Sequence, residues 1–205
     1  MIKIRDGRVS INSNIILSDI NITIEDGKSY RITGKNGSGK TVLINSILQL
    51  EKNFIQKDSY TLPNNEVIYI PSSEFFTSDE KVKNVIKEIL FLYEIDLDTC
   101  TNILKELNFY EDFNKFIGEL STGSIKKLLL VPLFVDRQYY FLDEILSGLD
   151  REIQVKVISR IRELIKKDNV TLIFVEHNNY IVNEILEKLK VGVILCEMKK
   201  ASNLN

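Results

Sequence analysis

Residues 34–41 read Gly-Lys-Asn-Gly-Ser-Gly-Lys-Thr, which matches the pattern G-x-x-x-x-G-K-[ST]. They follow a segment read as a strand, residues 29–33, and overlap the start of residues 40–50, whose apolar side chains recur at helical spacing. This order predicts a strand, a glycine-rich loop and a helix. The alternative is a chance glycine turn, and the position between a strand and a helix argues against it.

Each residue type in this segment suits a separate task in phosphate binding. Glycines let backbone N–H groups turn towards phosphate oxygens, and the N-terminus of the following helix adds about half a positive charge. Lys40 would reach the β and γ phosphates of a nucleoside triphosphate, and Thr41 would bind Mg2+. The sequence therefore predicts a nucleotide site formed by Gly34, Asn36, Gly37, Ser38, Gly39, Lys40 and Thr41.

Residues 139–144, Tyr-Tyr-Phe-Leu-Asp-Glu, form an apolar stretch that ends in two carboxylates. Such a strand is expected to border the same phosphate site, with Asp143 as a Mg2+ ligand and Glu144 as the general base for the attacking water. Taken alone, the stretch fits equally well a strand that enters a solvated turn. Together with residues 34–41, it predicts a site for nucleotide hydrolysis.

The rest of the chain alternates between strand and helix patterns. Residues 1–33 read as strands joined by Asp-Gly turns, and the stretch from Pro71 to about residue 118 has mostly helical periodicity. Strands are expected at 67–70, 139–142, 170–175 and 191–196, and helices at 125–135, 151–167 and 179–188. We therefore expect one α/β domain, residues 1–205: a P-loop NTPase core with a mainly parallel sheet, an N-terminal antiparallel β subdomain, and an α-helical subdomain inserted at about 74–135.

Composition argues against several classes of function. The chain has 27 Lys plus Arg, 29 Asp plus Glu and a formal charge of -2, with no basic block, so no nucleic-acid partner is expected. Cys100 and Cys196 form no C-x-x-C pair, which fits buried thiols in a reducing compartment. The N-terminus lacks an apolar leader, and the longest apolar run, residues 128–135, is far shorter than the roughly 20 residues that span a bilayer. We therefore expect a cytoplasmic protein.

Four further segments complete a recognisable order along the chain: Leu120-Ser121-Thr122-Gly123-Ser124, Asp143-Glu144, Ser147-Gly148-Leu149-Asp150, and His177. With residues 34–41, they make the chain resemble the ATP-binding cassette (ABC) ATPases over nearly its whole length. The resemblance implies ATP and Mg2+ as cofactors. It also implies a head-to-tail dimer in which residues 120–124, the signature motif, cap the γ phosphate bound by the opposite subunit.

The resemblance assigns roles that local structure explains in other ways. It implies that Ser121 and Gly123 contact the ATP of the opposite subunit, that Asp150 lies in a loop crossing the dimer interface, and that His177 contacts the γ phosphate. Ser121 and Asp150 also suit helix N-caps, and a lone histidine is normally ordinary structure. The common order of the motifs favours the functional roles, with Lys40, Glu144 and His177 as catalytic residues.

Several positions depart from the family pattern. Ser72 stands where the family has a glutamine that senses Mg2+ and the permease, and we place Ser72 at the metal with Thr41 and Asp143. Thr122 and Ser124 replace a glycine and the glutamine of the usual Leu-Ser-Gly-Gly-Gln. Residues 1–29 contain no aromatic residue, whereas the family stacks adenine on one there. We therefore expect weak selection of the base.

The resemblance implies the ATP-hydrolysing motor subunit of an ABC transporter, for which we expect export. Two copies, or this chain and a different cassette, would close around two ATP molecules. The pair would dock on a separate transmembrane permease at the inner face of the cell membrane, and Phe75 and Phe76 either line that docking groove or belong to the core of the helical lobe. The alternative is a nucleotide-binding switch that uses the same dimer but hydrolyses slowly or not at all. An ABC ATPase of DNA repair or ribosome function would need long coiled coils or tandem cassettes.

Overall fold

The computed structural model describes residues 1–73, 76–176 and 191–196. Phe75, His177 and the helix expected at 179–188 lie outside the described residues, so the roles given to these two residues stay predictions. Among the described residues, no helix has both the length and the apolar character needed to cross a membrane.

The N-terminal part of the chain forms an antiparallel sheet. Its strands are β1 (Ile2–Ile11), β2 (Asn14–Ile24) and β4 (Phe54–Ile55), in the order β2-β1-β4. Ile20 and Ile24 of β2 are buried while Asn21 is exposed, as the alternation in the sequence predicts for a sheet with one buried face.

Among residues 1–73, 76–176 and 191–196, five parallel strands form the central sheet. They are β3 (Ser29–Thr33), β5 (Val67–Ile70), β6 (Tyr139–Asp143), β7 (Thr171–Val175) and β8 (Gly192–Leu195), and their order is β5-β6-β7-β3-β8. Every residue of β6 and β7 is buried, because both faces of the sheet are covered. The predicted α/β fold with a parallel sheet and an N-terminal antiparallel sheet is confirmed.

In the described part of the chain, five α-helices accompany the sheets: α1 (Lys40–Ile47), α2 (Val82–Tyr93), α3 (Leu97–Glu106), α4 (Thr122–Leu130) and α5 (Arg151–Ile165). On α2 the buried side chains are Val82, Val85, Ile86 and Ile89, whose spacing of three and four residues forms one apolar stripe. Helices α2, α3 and α4 lie in the stretch of sequence expected to form the helical lobe.

The predicted end of α1 and both predicted ends of α4 were wrong for identifiable reasons. Helix α1 ends at Ile47 rather than at residue 50, and Gln49 has a left-handed φ of 59°. Helix α4 begins at Thr122 rather than at residue 125, because the Ser121 side chain caps it. It ends at Leu130 and continues as a 3-10 turn, Val131–Phe134, which contains Pro132 and so lacks one backbone donor.

The parallel sheet separates two apolar cores. Tyr140 and Leu142 face a core shared with helices α2 to α5, whereas Tyr139 and Phe141 face a core shared with α1 and the antiparallel sheet. Val175 at the end of β7 pairs in register with Ile32 of β3 and with Asp143 of β6. The carboxyl ends of β3 and β6 therefore meet at one edge of the sheet, where the polar residues of the sequence motifs follow.

Candidate nucleotide site

The loop after β3 is tightly packed against the strand at the edge of the sheet. A Cβ atom on Gly34 would lie 2.2 Å from the backbone oxygen of Cys196 and 2.6 Å from Ser38 Oγ, so only glycine fits. Gly37 has a φ of 74°, and a Cβ there would meet nothing within 4 Å. The first glycine is needed for close packing and the second for its backbone conformation.

Lys40 is the first residue of α1 and is only 6% exposed. Its ammonium donates hydrogen bonds to the backbone oxygens of Gly34, at 3.3 Å, and Lys35, at 3.0 Å. These acceptors are dipoles without a formal charge, and they hold the side chain folded back over the loop. A buried cation held in this way is suited to receive a polyanion.

Two buried oxygens at this edge have no hydrogen-bond partner among the described residues: Ser38 Oγ and Asp143 Oδ1. Buried polar atoms in folded proteins nearly always have partners, and such exceptions mark places where a ligand, ion or water belongs. Ser38 lies in the glycine-rich loop and Asp143 ends β6. The site therefore fits a phosphate group together with a hard metal ion.

Asp143 and Thr41, two of the residues predicted to bind Mg2+, are in direct contact. Thr41 Oγ1 donates a hydrogen bond of 2.6 Å to Asp143 Oδ2, and Asp143 is 1% exposed. Burial raises the pKa of Asp143 above its ordinary value, and interactions with the side chains of Thr41 and Ser72 act in the opposite direction. Ser72 thus lies beside Asp143, and its role at the metal stays a prediction.

These residues fit Mg2+ as partial ligands only. The described part of the chain contains no group of three or more His, Cys, Asp or Glu side chains able to hold a metal ion. Mg2+ commonly binds through one or two protein oxygens and completes its shell with water and substrate phosphates. Thr41, Asp143 and Ser72 match that pattern of binding.

Glu144 follows β6 and has an unusual backbone. Its φ is 51°, in the left-handed region that few residues other than glycine adopt, and its N–H donates to the oxygen of Val175 at 3.0 Å. The hydrogen bond to the end of β7 extends the sheet contact while the chain turns. Backbone strain of this kind is commonly found at functional sites.

Residues 120–124 lead into helix α4 and residues 147–150 lead into helix α5, as the alternative explanation of both segments as helix caps predicts. Ser121 Oγ accepts from the N–H of Ser124 at 3.0 Å, and Asp150 Oδ1 accepts from the N–H of Ile153 at 3.0 Å. The nearest atom to a Cβ on Gly123 would be Ser121 Oγ at 3.8 Å, so the motif presents an open backbone. Capping and phosphate contact are compatible, because a helix N-terminus attracts anions.

Contacts of the α4 lysines join these two segments. Lys126 Nζ donates to the backbone oxygen of Ser147, and Lys127 Nζ lies 3.9 Å from Asp150 Oδ2. The sequence did not suggest this connection, because a pair of lysines on a helix usually faces solvent. The structure therefore places residues 120–124 and 147–150 in one connected unit.

The remaining predicted residues have less specific surroundings. Asn36 is exposed at the tip of the glycine-rich loop. Phe76 packs against the core that contains α2 to α5, which favours the interpretation of Phe76 as part of the lobe core. Cys196, expected to be buried, is buried, and its Sγ donates to the oxygen of Ser38 at 3.3 Å. No sequence signal connected Cys196 with the glycine-rich loop.

A glycine-rich loop between a parallel strand and a helix, with a carboxylate on a second strand beside it, defines a P-loop nucleotide-binding protein. The family model described as ABC transporter matches residues 17–147, and the chain belongs to this family as a P-loop ATPase and ATP-binding subunit.

Individual relatives support the same assignment. An uncharacterised ABC transporter ATP-binding protein of Methanocaldococcus jannaschii is 27% identical over 208 residues, which cover 90% of this chain and 80% of that protein. The petrobactin import ATP-binding protein YclP of Bacillus subtilis is 24% identical over 227 residues, covering 96% and 86%. A solved dimeric ATP-binding cassette, in a post-hydrolysis state with ADP and Pi, has a TM-score of 0.69 at 17% identity and covers 98% of this chain and 97% of that one.

Proposed function

We propose that this chain is the ATP-hydrolysing motor subunit of an ABC transporter. The observation that carries the proposal is the direct hydrogen bond between Thr41 and Asp143, which unites the glycine-rich loop and the end of β6 into one site. Lys40 and the unpartnered Ser38 Oγ provide the phosphate side of that site. Family membership supports ATP as the nucleotide.

Each residue of the site has a separate role in hydrolysis. Backbone N–H groups of the loop and Lys40 hold the β and γ phosphates, and Thr41, Asp143 and Ser72 hold Mg2+. Mg2+, when bound, neutralises negative charge on the phosphate oxygens. Glu144 orients the attacking water and accepts its proton. His177 contacts the γ phosphate in this proposal.

Two cassettes form the functional unit, either two copies or this chain with a different cassette. In the head-to-tail arrangement, Ser121 and Gly123 of one subunit contact the ATP held by the other, and Asp150 lies near the interface. The solved cassette that is dimeric with ADP and Pi supports the pairing of two cassettes. ATP binding closes the dimer, and hydrolysis lets it reopen.

The dimer acts on a separate transmembrane permease, which holds it at the inner face of the cell membrane. In this proposal the permease docks where the core meets the helical lobe, near residues 72–87. We retain export as the direction because the helical lobe is small. The direction needs a test because the relatives include a protein named for import. The test is transport by vesicles reconstituted with this chain and a permease that binds it.

The alternative function is a nucleotide-binding switch that hydrolyses slowly or not at all. Ser72 in place of a glutamine and the altered signature residues Thr122 and Ser124 favour this alternative. Steady-state ATP hydrolysis by the purified chain separates the two functions. The motor predicts turnover that Glu144→Gln abolishes while it traps an ATP-bound dimer, and the absence of turnover in the unmodified chain would leave the switch.

A further inference from the structure

Three hydrogen bonds connect the signature serine to an acidic residue outside the motif. The N–H of Ser124 donates to Ser121 Oγ at 3.0 Å, Ser121 Oγ donates to Ser124 Oγ at 3.0 Å, and Ser124 Oγ donates to Glu111 Oε1 at 3.0 Å. Glu111 lies between α3 and α4, 13 residues before Ser124. We call these contacts the Glu111–Ser124–Ser121 chain.

The charge of Glu111 fixes the direction of every hydrogen in this chain. An ionised carboxylate can only accept hydrogen bonds, and a serine hydroxyl has one hydrogen to give. Because Ser124 gives its hydrogen to Glu111, Ser124 Oγ can only accept from Ser121. The hydrogen of Ser121 is therefore committed to Ser124.

Glu111 is held in its charged form by its neighbours. Lys115 Nζ donates to Oε2 at 2.8 Å, so the two oxygens of the carboxylate have different partners. The hydrogen bond from Lys115, with that from Ser124, lowers the pKa of Glu111 below its ordinary value. The carboxylate remains an acceptor throughout the physiological pH range.

The direction of these bonds conflicts with the role of Ser121 in the proposed dimer. A γ-phosphate oxygen accepts hydrogen bonds and needs a donor. In the present arrangement, Ser121 offers an approaching phosphate a lone pair instead of a hydrogen. We propose that Glu111 is a positioning residue that acts through Ser124 to keep the Ser121 hydroxyl from donating until the ATP of the partner subunit competes for it.

Capping of α4 does not require the whole chain. The cap uses only the backbone N–H of Ser124 and the lone pair of Ser121. The other two hydrogen bonds, from Ser121 Oγ to Ser124 Oγ and from Ser124 Oγ to Glu111 Oε1, both need the hydroxyl of Ser124. Replacing Ser124 by alanine therefore removes the restraint on the Ser121 hydrogen and preserves the cap.

The inference rests on the proposed sandwich dimer, and its test uses the full chain with Glu144→Gln to prevent turnover. The measured quantity is the ATP concentration that gives half-maximal dimer, determined by analytical ultracentrifugation in Mg2+. Ser124→Ala and Glu111→Ala are expected to lower this concentration about 2- to 10-fold, the equivalent of one net hydrogen bond. Ser124→Thr, which keeps a hydroxyl, is expected to restore the parent value.

Two controls separate the inference from other effects. Glu88→Gln removes one carboxylate from the exposed surface of α2 and is expected to leave the midpoint unchanged, which controls for net charge. Ser121→Ala tests the proposed function and is expected to raise the midpoint. If Ser121→Ala has no effect, the role of the signature motif fails. If it raises the midpoint while Ser124→Ala leaves it unchanged or raises it, the Glu111 inference alone is overturned.

Discussion

Thr41 Oγ1 and Asp143 Oδ2 lie 2.6 Å apart, although 102 residues separate them in the chain. The bond connects the start of α1 to the end of β6. Since Thr41 directly follows Lys40, this hydrogen bond holds the glycine-rich loop and the Asp143 carboxylate close together. Burial of Asp143 makes this arrangement costly for the empty protein.

Asp143→Asn is expected to raise the melting temperature of the nucleotide-free protein at pH 7. Burial raises the folded-state pKa of Asp143, so its contribution to stability is fully present below the unfolded-state pKa and is lost as pH rises through the folded value. Asparagine removes the charge and still accepts from Thr41. Scanning fluorimetry with EDTA should show the gain at pH 7 and a smaller gain near pH 4, while Mg2+-dependent hydrolysis is abolished. A lower melting temperature at pH 7 would contradict this account.

Lys40→Ala should weaken ATP binding by about 10- to 100-fold, because a charge-assisted hydrogen bond to phosphate contributes roughly 1.5–3 kcal/mol. Titration with a fluorescent ATP analogue measures the affinity. Lys35→Ala is the matched control, since Lys35 lies in the same loop but is exposed. It is expected to change the affinity less than about 3-fold, within the range of a surface charge. Equal losses in the two variants would indicate general electrostatic attraction.

Gly34→Ala and Gly37→Ala should differ in thermal stability. The new methyl group at residue 34 would overlap the oxygen of Cys196, and overpacking of this kind costs about 1–3 kcal/mol or more. At residue 37 space is available, and the positive φ of 74° alone costs about 1 kcal/mol. Thermal unfolding should show the larger fall for Gly34→Ala. The opposite ranking would mean that Cys196 does not pack on the loop.

ATP and GTP should bind with affinities that differ by less than about 5-fold, because a base-stacking platform worth about 1–3 kcal/mol is missing from residues 1–29. The first aromatic residue, Tyr30, is already engaged. Its hydroxyl accepts from the N–H of Glu25 at 3.2 Å, and its ring lies against Gly192. Competition of GTP and ATP against one fluorescent analogue tests this expectation. Strong selectivity for ATP would require another adenine-binding group.

The features that could be predicted from the sequence are those formed by residues close together in the chain. Strand β6 and the loop before Lys40 were predicted because apolar runs, glycines and carboxylates stand in adjacent positions. The contact of Glu111 with Ser124 and that of Cys196 with Ser38 were not predicted, since nothing in the sequence indicates which distant side chains meet. The start of α4 was placed three residues late because its apolar periodicity begins at Ile125, although Ser121 had also been considered as a helix cap.

Cys196 has one further consequence, which concerns synthesis of the protein. The N–H of Cys196 donates to the backbone oxygen of Thr33 at 2.8 Å. The Cys196 thiol donates a hydrogen bond to the backbone oxygen of Ser38, 158 residues earlier. The glycine-rich loop is therefore braced by a strand that leaves the ribosome long after the loop itself. A nascent chain that stops before residue 192 holds every phosphate-binding residue and lacks the edge against which they pack. Such a chain should capture ATP poorly, so competence for the nucleotide is acquired late in translation.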